Sequence, residues 1–366
     1  MNRKWWRRVV AVGSIAGVLG AACGADDSGD APPPSAAATT VVATSAPVPT
    51  TTAAASSTSA TTVAPATTTP LPSTVTIEQR FGATELPVAP ARIVASSGPW
   101  LDALLAFGVQ PVAYVGNNRG DDGLNAWERE AIAGAEQIRT ENPNFTFPLE
   151  LVTAARPDLI LMNPYVGADQ TQFDLANQIA PTLSRLGTGE SLDTWQEQVT
   201  ALGKVLGREA DAAAIIAGVD TKIASVATEL PALAGTTALL VQVDLSSSAV
   251  NVVASPTDPA NTFFTKLGMA IPPAVTDAAD ESGRLVVSVE NIELVDADYL
   301  LVYARDVTAD DIAAAIPGWS GLRAVANGAA TYAGTEEIVA FYSPGPLSLA
   351  WGVDHIRPEL AGVAAG

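Results

Sequence analysis

The sequence predicts an α/β protein in which two α/β lobes with largely parallel sheets are joined by a single long backbone helix. Two observations predict the lobes: short apolar strands alternate with helices in residues 76–192, and the same order returns in residues 231–366. Strands that alternate with helices are typical of parallel sheets. A third observation predicts the connection, because apolar residues recur at steps of mostly three and four throughout residues 193–230. Two lobes joined in this way are expected to enclose a ligand cleft.

Turn residues separate the expected elements of the first lobe. Ser97, Gly98 and Pro99 end the first strand, Gly108 closes the helix that follows it, and Pro157 stops a later helix. The predicted order is a strand at 92–96, a helix at 100–107, a strand at 112–115, a helix at 148–155 and a strand at 158–162.

The connecting helix is predicted over residues 193–230, since no proline interrupts this segment until Pro231. Gly203, Gly207 and Gly218 weaken the helical pattern, and a break near Gly207 is left open. The second lobe is expected to contain a strand at 238–243, helices at 259–267 and 290–295, and a strand at 299–303.

The N-terminal segment has the pattern of an export signal. Basic residues precede a short apolar run, which predicts a signal peptide at residues 1–22. The small residues before Cys23, the only cysteine, resemble a bacterial lipobox, in which this cysteine is lipidated; an incidental cysteine is the alternative. Residues 31–74 contain 39 Ala, Pro, Ser or Thr among 44, so residues 23–75 are predicted to be a disordered linker. The protein is therefore expected to face the extracytoplasmic space on a lipid anchor in the cell membrane.

The composition excludes several classes of function. The 366 residues include 19 Lys and Arg against 39 Asp and Glu, a formal net charge of −20 that disfavours a nucleic-acid partner. One Cys and one His cannot build an internal disulfide or a His- or Cys-rich metal site. No nucleophile elbow, Ser-x-x-Lys or His-Glu-x-x-His motif is present. The lone His355 is interpreted as solvated or capping, so we expect neither catalysis nor a bound cofactor or metal.

Short motifs in a fixed order indicate a family. They are Arg92-Ile-Val-Ala-Ser, Leu104-Leu-Ala-Phe-Gly, Leu149-Glu-Leu, Arg156-Pro-Asp-Leu-Ile, Val287-Ser-Val-Glu-Asn-Ile, Ile316-Pro-Gly-Trp and Phe341-Tyr-Ser. From about Thr76 to the C-terminus the chain resembles the solute-binding proteins of bacterial iron–siderophore and vitamin B12 ABC importers. The resemblance implies a monomer that captures a ferric siderophore and delivers it to an ABC permease. Cobalamin or haem binding by the same fold, or an envelope or adhesion module that has lost its ligand, are the alternatives.

The resemblance also implies ligand-binding residues. Arg139 lies in a stretch similar to the arginine-bearing loop of ferric-hydroxamate binders, and Tyr165 is similar to their pocket tyrosine. Trp100 follows the first strand, where the strand ends of a sheet open onto a cleft. Looser candidates in the second lobe are Arg284, Phe341 and Tyr342.

One departure leaves the class of chelate open. The hydroxamate binders carry tryptophans on the side of the second lobe, and the aligned positions here are Ser282 and Ala340. Trp319 or Tyr342 are candidate replacements, and catecholate, citrate and mixed siderophores all stay open.

Two glutamates are candidates for docking to the permease. Glu150 and Glu290 each begin a short helix, one in each lobe. In the family that the chain resembles, such paired glutamates lie on the outer tips of the lobes and meet arginines of the permease. An acidic residue in a first helical turn also complements the helix dipole without any partner.

Overall fold

The structure of the protein is a computed structural model that describes residues 73–117, 121–140, 146–188 and 193–365. The predicted signal peptide, the predicted lipidation site Cys23 and all of the predicted linker before residue 73 lie outside these residues. Among the helices in the described part, none is both long enough and apolar enough to cross a membrane.

The N-terminal lobe contains a parallel five-stranded sheet. Its elements are the hairpin strands β1 (Thr74–Gln79) and β2 (Gly82–Pro87), the sheet strands β3 (Ile93–Ser96), β4 (Ala113–Val115), β5 (Glu136–Ile138), β6 (Leu159–Leu161) and β7 (Thr182–Leu183), and the helices α1 (Pro99–Ala106), α2 (Ala126–Ala131), α3 (Leu149–Ala155) and α4 (Gln170–Ile179). The strand order is β5-β4-β3-β6-β7, all parallel. Every residue of β3 and β6 is buried, as expected for a sheet that is covered on both faces.

Two helices, not one, occupy the predicted connecting segment. A capping box between Thr194 and Glu197 starts α5 (Trp195–Leu206), and α6 (Glu209–Glu229) follows it. The chain breaks at Gly207, whose φ of 65° is the left-handed conformation that ends many helices. Helix α5 packs on α1 and β1 of the first lobe, so α6 alone joins the lobes. Its 21 residues span about 30 Å at 1.5 Å each, instead of the roughly 50 Å of an unbroken helix.

The C-terminal lobe contains a mixed five-stranded sheet. Its elements are β8 (Ala238–Asp244), β9 (Ala249–Val253), β10 (Arg284–Ser288), β11 (Tyr299–Tyr303), β12 (Ala330–Ala333), α7 (Thr262–Lys266), α8 (Pro273–Ala278), α9 (Ala309–Ala315), α10 (Arg323–Ala326), α11 (Thr335–Tyr342) and α12 (Pro346–Ala365), with 3-10 helices that include Pro259–Asn261 and Val289–Val295. The order is β10-β9-β8-β11-β12, in which β8, β11 and β12 are parallel while β9 and β10 are antiparallel to their neighbours. Only residues 245–248 join β8 to β9, too few for a parallel crossover.

The C-terminal helix α12 returns to the first lobe. Its residues Leu349, Val353, Ile356 and Leu360 form one buried stripe with 0–2% exposure. Such a stripe at steps of three and four stabilises the fold by roughly 1.5–3 kcal/mol for each fully buried side chain. The helix packs on α1 and α2 of the first lobe, on α6, and on α11 of the second lobe, so the last described element fastens the two lobes together.

A buried carboxylate of the first lobe caps this helix. Asp102 in α1 is 1% exposed, and its two oxygens accept hydrogen bonds from the backbone N–H groups of Leu347 and Ser348 at 2.8 Å. Gly345 lies against the same carboxyl group, whose carbon would be 2.5 Å from an added Cβ. Burial, and to a smaller extent the nearby buried Glu128, raise the pKa of Asp102 to about 7, although the two backbone hydrogen bonds act to lower it.

We expect the free energy of unfolding to fall as the pH rises from about 4 to about 7. Asp102 binds its proton more tightly in the folded chain than in the unfolded chain, where its pKa is 3.8, so its contribution is largest in acid and is lost near pH 7. Asp102→Asn removes this titration, and its melting temperature should depend less on pH than that of the wild type. Parallel melting curves for both proteins between pH 4 and pH 8 would contradict this origin of the pH dependence.

A glycine pair tests the break between α5 and α6. Gly207→Ala should lower the free energy of unfolding by about 1 kcal/mol, because a residue with a Cβ is strained in the left-handed conformation. Gly218→Ala is the matched control, since Gly218 lies within α6 with nothing within 4 Å of an added Cβ. That change should raise the free energy of unfolding by about 0.5–1 kcal/mol. Denaturant titration of both variants measures the two signs, and equal shifts would contradict the assignment of the break.

Candidate functional site

A cleft of about 700 Å³ lies between the two lobes. The first lobe contributes residues that follow β6 and β7, where the carboxyl ends of its parallel strands meet. The second lobe contributes residues 254–259, 279–284 and 342–344. This volume lies in the range of small-molecule binding sites. Within the described part of the chain, the cleft therefore has the size and the position expected for a ligand site.

Tyr165 reaches the cleft from the first lobe. Asn163 holds the turn after β6, because its side-chain oxygen accepts a hydrogen bond from the backbone N–H of Tyr165 at 2.8 Å. The side chain of Tyr165 is 45% exposed and lines the cleft. Desolvation and the neighbouring Tyr342 raise the pKa of Tyr165, while Ser343 and the charge of Arg284 act in the opposite direction. Tyr342, Ser343 and Arg284 all belong to the second lobe, so Tyr165 faces that lobe across the cleft.

Arg284 is the cation that the second lobe contributes. It begins β10, and its Nη1 donates to Oδ2 of Asp258 at 2.7 Å. The two side chains are 37% and 18% exposed. Burial disfavours the guanidinium charge, but Asp258 and Tyr342 outweigh burial and raise the pKa of Arg284. A fixed and permanently charged guanidinium therefore lines this side of the cleft.

Arg185 is a second cation in the cleft, which the sequence analysis missed. It follows β7, is 5% exposed and lines the cleft near Asp193. Burial raises the pKa of Asp193, while bonds from the N–H groups of Leu186 and Gly187 and the charge of Arg185 lower it. The available signal was that basic residues are few, 19 Lys and Arg in total, so that each one near a predicted strand end was a candidate.

The two arginines suit an anionic ligand rich in oxygen atoms. A guanidinium presents planar donors that match carboxylate, hydroxamate and catecholate oxygens. Arg185 and Arg284 approach the same cavity from different lobes; Arg284 pairs with Asp258, and Arg185 lies near Asp193. The described residues contain no group of three or more His, Cys, Asp or Glu side chains that could hold a metal ion.

Two of the aromatic residues that were predicted to bind the ligand, Trp100 and Phe341, are core residues, and this part of the prediction is wrong. Trp100 is 1% exposed and its indole N–H donates to the carbonyl of Ser184 at 3.1 Å. Phe341 is fully buried against Phe263 and Phe264, with ring centroids 5.1 and 5.9 Å away. Both side chains pack in the core and do not line the cleft.

The aromatic contribution of the second lobe comes from the next residue. Tyr342 is 39% exposed and lines the cleft. Of the positions aligned with the tryptophans of hydroxamate binders, Ser282 lines the cleft and Ala340 is buried. Trp319 is also buried and donates to the hydroxyl of Tyr332, which leaves Tyr342 as the replacement candidate in the cleft.

The structure does not bring Arg139 to this cleft. The residue follows β5, the edge strand farthest from β7. At about 4.8 Å per strand, β5 lies roughly 14 Å from β6 and 19 Å from β7, whose ends carry the cleft residues. The guanidinium of Arg139 instead donates to the carbonyl of Asp121.

The two docking candidates lie on the surface of separate lobes. Glu150 is exposed in the first turn of α3, and Glu290 is exposed in the first turn of the 3-10 helix Val289–Val295. His355 lies in α12, where its ring stacks on Trp351 at 3.6 Å and its Nδ1 is 2.8 Å from the carbonyl of Trp351.

Comparisons with known proteins identify the family. The periplasmic solute-binding protein from Mycobacterium smegmatis str. MC2 155 is 27% identical, with a TM-score of 0.66 over 80% of this chain and 99% of that chain. PiaA of Streptococcus pneumoniae TIGR4 in complex with ferrichrome has the same fold, at 22% identity and a TM-score of 0.65 over 79% and 98% of the two chains.

Curated relatives match over shorter stretches. The probable siderophore-binding lipoprotein YfiY of Bacillus subtilis (strain 168) is 27% identical over 160 residues, which is 43% of this chain and 46% of YfiY. The chain thus spans about half the length of the curated relatives that it matches. The sequence pattern of periplasmic binding proteins matches residues 103–335, more than half of the chain. This match, together with two α/β lobes around a cleft, shows that the chain belongs to the periplasmic binding protein family.

Proposed function

We propose that this protein is an extracytoplasmic solute-binding protein that captures a ferric siderophore and delivers it to an ABC importer permease. The observation that supports this most directly is the cleft with one arginine from each lobe, Arg185 and Arg284. Ferric siderophores carry oxygen donors around the iron and are often anionic. A protein can therefore recognise the chelate through guanidinium groups without touching the metal.

The aromatic side chains of the cleft support the same assignment. Tyr165 and Tyr342 each expose more than a third of their surface and approach the cavity from different lobes. A phenol offers an apolar face for the organic part of the chelate and a hydroxyl for its oxygens. Closure of the lobes would place the ligand between the two tyrosines and the two arginines.

Haem with a histidine ligand is less well supported as the ligand. The one histidine of the chain, His355, is held against Trp351 in α12 and is not among the residues that line the cleft. An axial histidine ligand is therefore not available in the cleft of the described structure.

The proposal extends to the partner and the anchor. Glu150 and Glu290 lie one on each lobe, as expected for residues that fix the register of both lobes on a permease. Lipidation of Cys23 would hold the protein at the outer side of the membrane that contains the permease. The relative YfiY is described as a lipoprotein, which supports this location.

Arg284→Ala should weaken the binding of a ferric siderophore by about 10- to 150-fold, because a charge-assisted hydrogen bond contributes roughly 1.5–3 kcal/mol. Tryptophan fluorescence titrations with ferrichrome and with the ferric complex of staphyloferrin B measure the affinity. Arg323→Ala is the matched control: its guanidinium also pairs with aspartates, Asp296 and Asp298, but lies outside the cleft.

A double variant separates two effects of this change. Arg284→Ala leaves Asp258 unpaired in the cleft, where its charge repels an anionic ligand. Adding Asp258→Asn should restore only part of the affinity if Arg284 binds the chelate directly. Wild-type affinity in the single variant would remove Arg284 from the site. Failure of the wild type to bind any ferric chelate would favour the envelope-module alternative.

Glu150→Ala combined with Glu290→Ala should leave siderophore affinity unchanged and lower the uptake of radiolabelled ferric siderophore at least tenfold. The expected cause is the loss of two salt bridges to the permease. Glu209→Ala combined with Asp310→Ala is the matched control, because both residues are exposed acids in first helical turns. Each of the two double variants therefore loses the same small stabilisation from the helix dipole, about 0.3–1 kcal/mol per residue. Equal uptake by the two double variants would show that the glutamates act only as helix-capping charges.

A further inference from the structure

A second hollow of about 480 Å³ lies beside the cleft, on the C-terminal lobe. Its floor is one face of the sheet. The register pairs Gln242 with Asn251 and with Tyr303, and Asn251 with Val286, so these four side chains share that face. We call this hollow the sheet groove.

The sheet groove is a part of the sheet that no helix covers. Leu240 and Val253 lie on the same face and are buried, at 1% and 3% exposure, in the core that the helices form. Farther along the strands, Gln242 is exposed and Val286 is 66% exposed. Antiparallel strands such as β9 and β10 can expose one face to water, and on this face Val286 gives the groove an apolar contact surface beside Tyr342.

Helix α11 forms the wall of the sheet groove. Thr335, Ile338, Val339 and Tyr342 line it and are spaced at steps of three, one and three, which places them on one side of the helix. Three of these four side chains present mainly carbon to the groove. Together with aliphatic side chains of the floor such as Val286, they give the groove a lining that is about half apolar.

The sheet groove is continuous with the ligand cleft. Arg284 and Tyr342 line both cavities, so a molecule in the cleft can extend past these two side chains without leaving the protein surface. From Arg284 on β10, the groove crosses three strand spacings to Tyr303 on β11, a distance of about 14 Å across the sheet.

A second cation lies at the far end of the sheet groove. Arg305, just after β11, lines the groove and is exposed. Within the described part of the chain its guanidinium has neither a hydrogen bond nor a salt bridge, whereas Arg284, Arg129 and Arg323 all pair with carboxylates. In a chain with a net charge of −20, a free guanidinium at the end of an apolar groove favours an anionic group there.

From this geometry we propose that the ligand is amphiphilic: its chelate occupies the cleft while an apolar acyl or alkyl arm lies in the sheet groove and directs an acidic end towards Arg305. This inference rests on the proposed function for the identity of the chelate. The presence of the apolar arm rests on the groove alone.

The first experiment compares two chelates that differ only in the arm. The probes are a linear ferric trihydroxamate whose terminal amine is capped as a neutral acetamide (the parent chelate) and the same chelate whose amine carries instead an acyl chain that ends in a carboxylate, such as a nonanedioyl group (the acylated chelate). The acylated chelate should bind the wild type at least tenfold more tightly, because burial of methylene groups is favourable. Equal affinities of the two chelates would overturn the inference and leave the proposed function intact.

Variants locate the arm. Val286→Asp should remove most of the advantage of the acylated chelate and leave the affinity for the parent chelate unchanged. Leu175→Asp is the matched control, since Leu175 is 38% exposed in α4 of the other lobe. Val286→Thr, of similar shape, is the substitute if the aspartate variant does not fold, and it should lower the advantage to a smaller extent.

Arg305→Gln tests the far end of the groove. It should lower the advantage of the carboxylate-ended arm but not that of an arm that ends in a methyl group. A full advantage in Val286→Asp, or in both Val286→Thr and Arg305→Gln, would overturn the inference.

A second experiment does not depend on any chelate. The fluorescent fatty acid cis-parinaric acid has an apolar chain and a carboxylate, and it should bind the wild type with an increase in emission. Val286→Asp and Arg305→Gln should each weaken this binding at least fivefold, and Leu175→Asp should not. If cis-parinaric acid binds in this way while no ferric chelate does, the groove is retained and the proposed function fails. If cis-parinaric acid does not bind, or binds all variants equally, the groove inference fails.

Discussion

The buried carboxyl group of Asp102 is the constraint on which the arrangement of the lobes depends. It belongs to the first helix of the first lobe, and it satisfies the N–H groups of Leu347 and Ser348 at the start of α12. Unsatisfied donors at a buried helix end are costly, so α12 can begin only where this carboxyl group lies. Because α12 also packs along α6, this aspartate of the first lobe positions a helix that contacts the connection between the lobes.

Much of the fold could be predicted from the sequence because its main strands are buried on both faces. Strands β3, β6, β8 and β11 each contain an apolar run of three to five residues, and each was predicted within about two residues. The short edge strands β5 (EQI) and β7 (TL) were not predicted, since neither contains such a run. The helix break could only be left open, because a glycine weakens a helix without deciding whether it ends.

The candidate site was harder to predict, since exposure depends on tertiary packing. An aromatic residue at the end of a strand or helix looks the same in the sequence whether its side chain faces a cleft or the core. Trp100 and Phe341 proved to be core residues. Arg139 and Arg185 both follow strands, and only the strand order, which sequence does not give, separates them by the width of the sheet. Tyr165, Arg284 and Tyr342 line the cleft, and they were candidates because of the family resemblance rather than any periodicity.

The junction between α1 and α12 also sets the order in which the chain can fold. Residues 102 and 348 are 246 positions apart, and α12 follows all the other described elements along the chain. Until this helix emerges, the apolar face of the first lobe that it covers stays open, and the carboxyl group of Asp102 lacks its donors. Contacts of such long sequence separation form slowly because the intervening loop must close first. The packing of the first lobe therefore cannot be completed until the chain has been made as far as α12.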